Sequence, residues 1–125
     1  MRVLIIEDDE AISEAIASLL EDCGYSAIRA ADGRAGLEAL RNGKKPSLIL
    51  LDMAMPGMNG WRFREEQMKD PGLAEIPVVV FTADSGAEER ARELGVAGWL
   101  RKPVDPLRLL ATVEKHCGPQ MGRRP

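Results

Sequence analysis

Three unbroken apolar runs constrain this chain more than anything else in it: Val3-Leu4-Ile5-Ile6, Leu48-Ile49-Leu50-Leu51 and Val78-Val79-Val80-Phe81. Each is too short for a helix and shows no alternation of polar and apolar residues, so each needs a cover on both faces. Central strands of a parallel sheet have that cover, because the crossovers between them place helices on either side. Tyr25 to Ala30 and Gly98 to Arg101 are more polar and suit the edges of the same sheet.

The intervening segments carry helical signals. Ile12, Ala15, Ile16, Leu19, Leu20 and Cys23 share one face at a period of 3.6 and predict a first helix, with Asp9 as its cap and Glu10 a first-turn acid. Asp32-Gly33 opens a second helix that stops at Asn42-Gly43, and Asn59-Gly60 opens a third through Lys69. Arg64 and Gln67 interrupt the apolar face of that third helix, which predicts shallow packing. Ser85-x-x-Glu88 reads as a capping box for a fourth, whose stripe of Ala87, Ala91 and Leu94 promises weak docking and high mobility. Asp105-Pro106 pairs a cap with a first-turn proline and opens a fifth helix, to about Cys117.

Strand and helix thus alternate five times over. The expected fold is α/β: a five-stranded, parallel, doubly wound sheet with right-handed crossovers and five helices on both faces. Strand order 2-1-3-4-5, the flavodoxin-like arrangement, is one of two common choices. The 125 residues suffice for one domain, expected over 1–117, with 118–125 a flexible tail.

Composition narrows the function. Hydrophobic residues make up 45% and charged residues 30%, ordinary for a globular domain. The 17 basic residues are dispersed and outnumbered by 20 acids, a net charge of −3, so direct nucleic-acid binding is not expected. No run approaches the ~18 apolar residues of a membrane span and none resembles a signal peptide, so a soluble, cytoplasmic chain is expected. Cys23 and Cys117 belong to no metal-binding or redox motif and are expected to be reduced core residues. His116, near the end of the fifth helix, is read as a surface or C-terminal-turn histidine.

In a doubly wound sheet, ligands sit outside the carboxyl ends of the strands. Here the first strand runs into Glu7-Asp8-Asp9-Glu10, the third into Asp52, the fourth into Thr82 and the fifth into Lys102-Pro103. Clustered carboxylates repel one another unless protonated or bridged by a cation, and an all-oxygen donor set suits Mg²⁺ shared with a phosphate. Lys102 and Thr82 then supply a charge and a hydroxyl to further phosphoryl oxygens, and Asp52 is the candidate nucleophile of a phosphoryl-transfer site.

Taken together these residues resemble the receiver domain of two-component response regulators. Val3 to Glu10 resembles the family's opening strand and acidic pair, and Asp52 to Gly60 its phosphoacceptor loop. Phe81-Thr82-Ala83 resembles the switch-hydroxyl segment, and Gly98 to Pro103 the lysine segment. The four sites are separated by 44, 30 and 20 residues, and the likeness runs from about residue 2 to 117.

The resemblance implies a phosphoacceptor switch rather than an enzyme, one that assists its own Mg²⁺-dependent phosphorylation and dephosphorylation. Asp52 would accept a phosphoryl group from a sensor histidine kinase or histidine phosphotransfer protein. Asp8, Asp52 and the Ala54 carbonyl would hold Mg²⁺ directly, and Glu7 through water. Lys102 would bind phosphate, with its bond to Pro103 cis. Thr82 drawn toward the phosphate would let Trp99 turn inward, changing how the face of the fourth helix, fifth strand and fifth helix binds a downstream protein. The chain departs from the family's usual pattern at Trp99, where Tyr or Phe is more common. It departs also at Ala54 and Asp84, positions that tune how water reaches the acyl phosphate.

Three other readings share part of this pattern. A haloacid-dehalogenase-type phosphatase needs a second Asp where Ala54 stands, and an FMN carrier needs a phosphate loop where the chain has Glu7-Asp8-Asp9. A phosphorylation-independent interaction module of the same fold remains as the alternative, against which the clustered charge of Asp8, Asp52, Thr82 and Lys102 argues.

Overall fold

The computed structural model describes residues 1–43, 45–54, 60–83 and 86–118. In chain order the elements are β1 (Arg2–Ile6), α1 (Glu10–Asp22), β2 (Ser26–Ala30), α2 (Gly33–Asn42), β3 (Leu48–Asp52), α3 (Gly60–Met68), α4 (Pro71–Ala74), β4 (Val78–Thr82), α5 (Ala87–Leu94), β5 (Gly98–Arg101) and α6 (Pro106–Cys117). The strands form one parallel sheet in the order β2-β1-β3-β4-β5, so the three continuous apolar runs lie in its centre and the two polar ones at its edges.

Side chains alternate between the two faces of each strand, and each face has its own core. Val3, Ile5, Leu48, Leu50, Val79 and Phe81 pack against Ile16 and Leu20 of α1 and Leu109 and Val113 of α6. On the other face Leu4, Ile6, Ile49, Leu51, Val78 and Val80 meet Leu37 of α2, Phe63 of α3, Leu73 of α4 and Ala91 of α5. At about 1.5–3 kcal/mol for each fully buried aliphatic side chain, these two layers supply the driving force for folding.

Asp9, Asp32 and Asp105 cap their helices as expected, accepting from the amides of Ile12, Ala35 and Leu107. Elsewhere the structure departs from the expectations. There are six helices among the described residues, not five: Asp70 accepts from the Gly72 amide and Pro71 sits in the first turn, so the four-residue α4 forms between α3 and β4. The fourth and fifth expected helices are therefore α5 and α6. On α1 the buried residues are Ser13, Ile16, Ala17 and Leu20, whereas Ile12 and Ala15 face outward. Ile16, Ala17 and Leu20 instead join the core on that face of the sheet, with Leu19 and Cys23 partly buried against it.

The third helix is not shallow. Phe63, Arg64 and Gln67 are all buried, while Met68 is half exposed. Its polar residues go inside because backbone carbonyls there need donors. At α5 the residue in the cap position is Gly86, without a side-chain cap, and the expected capping residue Ser85 lies outside the described residues. Cys117 is buried and Cys23 half-buried, both as free thiols. No helix among the described residues is long and apolar enough to cross a membrane.

Candidate functional site

Backbone hydrogen bonds extend the sheet just past its carboxyl edge and aim the next side chains. The amide of Glu7 donates to the Ala30 carbonyl (3.1 Å), that of Met53 to Phe81 (3.1 Å) and that of Lys102 to Thr82 (2.9 Å). Asp52 ends β3 opposite Phe81, and Thr82 ends β4 opposite Arg101. Three successive strands of the sheet and the segment after β5 thus deliver Glu7, Asp52, Thr82 and Lys102 to one edge.

There Lys102 Nζ donates to Asp52 Oδ1 at 2.8 Å and stands 4.0 Å from Glu7 Oε1. Asp52 Oδ1 also accepts from the Ala54 amide at 3.0 Å. Glu7, Asp8 and Asp52 each bring a carboxylate oxygen within 4.8 Å of the others, with Glu7 and Asp52 buried and Asp8 exposed. The Lys102–Pro103 peptide is cis.

The charge is unbalanced. Glu7 is 3% exposed and its Oε2 accepts from the Asp9 amide at 3.1 Å, but Oε1 is buried without a hydrogen bond. Burial first, then the neighbouring Asp52 carboxyl, push the Glu7 carboxyl from the ordinary 4.5 up to about 7. Among the described residues, Lys102 is the ammonium that stands within 4.0 Å of both Asp52 and Glu7. An orphaned buried oxygen beside two more carboxylates fits a hard divalent cation, which takes oxygen ligands and relieves their repulsion.

Of the residues the sequence singled out, Glu7, Asp8, Asp52, Thr82 and Lys102 come to one edge, and Ala54 adjoins Asp52 through its amide. Trp99 lies on the edge strand β5 opposite Val80 and is 39% exposed. Asp84 and residues 55–59 of the acceptor loop lie outside the described residues. His116 sits in the last turn of α6, at the far end from the cluster. Two features had no signal in the sequence. Arg29 on edge strand β2 donates from Nε to the buried Ser13 Oγ (3.0 Å), beside Glu7 and Asp8. An open groove of about 600 Å³ also runs beside the cluster, where Ile12, Ala15 and Leu19 of α1 face Pro103, Val104 and Pro106.

The sequence pattern of the response regulator receiver domain matches residues 3–114. The chain belongs to that family. The receiver is 33% identical over 118 residues to the polar-differentiation response regulator DivK of Brucella anthropi, covering 93% of this chain and 95% of that protein. It is 32% identical over 114 residues to protein PilH of Pseudomonas aeruginosa, covering 90% and 93%. Among solved structures, the chemotaxis protein CheY4 of Vibrio cholerae superposes with a TM-score of 0.84 at 29% identity, over 92% of the receiver and 97% of that chain. Receivers are phosphoacceptor modules of two-component systems rather than classical enzymes.

Proposed function

We propose that this receiver is a phosphorylation-dependent switch, occupying residues 1–117, with Asp52 as the phosphoacceptor. What supports the reading is the contact between Lys102 and Asp52 at 2.8 Å with the unsatisfied Glu7 carboxylate beside it. An Asp52 oxygen attacks the phosphorus of a phosphohistidine on a sensor kinase or phosphotransfer protein. The O–P bond forms as the P–N bond breaks, and the leaving imidazole takes up a proton. Lys102 turns from the carboxylate to a phosphoryl oxygen as the charge moves, and the Thr82 hydroxyl donates to another.

Asp8, Asp52 and the Ala54 carbonyl would hold Mg²⁺, with Glu7 reaching it through water. Bound there, the ion neutralises charge on the transferring group and on the acids. The donor must approach over the carboxyl edge, and the groove along α1 is the apolar surface adjoining it. Movement of Thr82 toward the phosphate gives Trp99 room to turn inward from its exposed position. The face made by α5, β5 and α6, which presents Trp99 and the exposed Leu107, then changes its affinity for a downstream protein.

The test is intact mass after incubation with acetyl phosphate and Mg²⁺. One phosphoryl adduct, absent when the metal is chelated and absent from Asp52→Ala, is the expected result. An adduct that persists in Asp52→Ala overturns the assignment. Absence of both adduct and Mg²⁺ binding favours a module that binds partners without phosphorylation.

A further inference from the structure

Little of the described part of α5 is buried. Among its described side chains only Ala91 is buried, Leu94 is half-buried, and Gly86 caps the first turn with no side-chain hydrogen bond. Its C-terminal end is different. Arg64 of α3 donates from Nε to the Leu94 carbonyl (3.0 Å) and from Nη2 to the Gly95 carbonyl (2.9 Å). Those are last-turn acceptors that a helix cannot satisfy by itself, and they form the negative end of its dipole, where a cation is favoured.

The guanidinium is itself held in place. Arg64 is 8% exposed and its Nη1 donates to Gln67 Oε1 at 2.9 Å. Gln67, fully buried, donates from Nε2 to the carbonyls of Leu73 (2.9 Å) and Ile76 (3.1 Å), on α4 and the turn into β4. One planar side chain therefore binds two carbonyls of another helix while a second side chain braces it from below. The planar fork of arginine suits this; the single ammonium of lysine does not.

We propose that Arg64 is a latch that pins the C-terminal end of α5 to α3, leaving α5 to pivot about that point with its N-terminal end, next to the chain leaving Thr82, as the moving end. Docking of α5 is then set less by its apolar stripe than by two hydrogen bonds made at the amino edge of the sheet, opposite to the acidic cluster. The latch rests on the contacts of Arg64 alone. Only its use in signalling, as the fulcrum about which α5 responds at the Thr82 end, rests on the phosphotransfer reading.

Hydrogen–deuterium exchange of the full chain, without phosphodonor, tests it in Arg64→Met and Arg64→Lys. Exchange of α5 amides should rise at least tenfold in Arg64→Met relative to any change in β1 and β3, and by a smaller factor in Arg64→Lys. Gln67→Met, which removes the brace, should loosen α4 more than α5. Unchanged α5 exchange in both Arg64 variants overturns the latch, as does a rise shared equally by β1 and β3. Loosening of α5 in Gln67→Met as large as in Arg64→Met also overturns it. If Arg64→Met does not fold, Arg64→Lys decides: faster exchange confined to α5 supports the latch, and no change overturns it. Phosphorylation from acetyl phosphate is read separately, so a failure of the Asp52 assignment shows as a missing adduct and leaves the exchange result standing.

Discussion

Glu7 and Asp52 at the carboxyl edge of the sheet, and Arg64 with Gln67 at its amino edge, are both polar pairs buried in a small apolar domain, but they are satisfied to opposite degrees. At the first, acids crowd together beside the Lys102 ammonium, and Glu7 Oε1 has no hydrogen bond. At the second, the two side chains make five hydrogen bonds to neutral oxygens of α3, α4, the turn into β4 and the end of α5. An incompletely satisfied buried charge costs stability and persists where a ligand completes it, whereas a fully paired network fixes the geometry of what surrounds it. The contrast sets a cluster short of counter-charge against a satisfied structural brace.

The sharpest break between the two is Asp52→Ala. Phosphoryl uptake should fall to nothing while the fold survives, because the substitution also relieves repulsion among the acids; intact mass and thermal melting read both. Substitution of Gln67 should do the reverse, leaving phosphorylation intact.

Next in size is pH. Glu7 is raised from 4.5 to about 7 on folding, so its contribution to stability is fully present below about pH 4.5 and is lost as pH rises through about 7. The loss is on the order of 3 kcal/mol in metal-free protein. Mg²⁺ should shrink it by favouring the ionised acids. Urea melts across that window, with and without Mg²⁺, check the sign; a flat profile without metal would mean that the carboxyl edge is not short of counter-charge.

Gln67→Met should cost about 2 kcal/mol, because the Leu73 and Ile76 carbonyls lose a buried donor without gaining water. A denaturant midpoint close to that of the parent would show that the amino-edge network is replaceable. The smallest effect belongs to neither cluster: Arg92→Ala removes an exposed pair with Glu88 at 3.2 Å and should change stability by less than about 0.5 kcal/mol. Equality of the last two would erase the distinction between buried and exposed polar contacts.

Much of this architecture was legible because its signals are local. Val3–Ile6, Leu48–Leu51 and Val78–Phe81 need two covered faces whatever surrounds them, and Asp9, Asp32 and Asp105 cap whatever helix follows. The acidic cluster was legible for a related reason: in a parallel sheet every strand ends on the same side, so residues far apart in sequence must converge there. The α4 helix was missed although Asp70-Pro71 carries the same signal as Asp105-Pro106, because four residues show no periodicity.

What the sequence by itself determined is the α/β alternation, the central and edge strands, and the edge at which Glu7, Asp8, Asp52, Thr82 and Lys102 meet. Only the tertiary structure decided the phase of α1, which turns Ile12 and Ala15 out to line a groove, and the burial of Arg64 and Gln67. Propensity and periodicity treat a guanidinium and an amide as solvent-facing. Whether they can be buried depends on carbonyls at Leu73, Ile76, Leu94 and Gly95, contributed by two other helix ends and a turn and brought together only once the chain has packed.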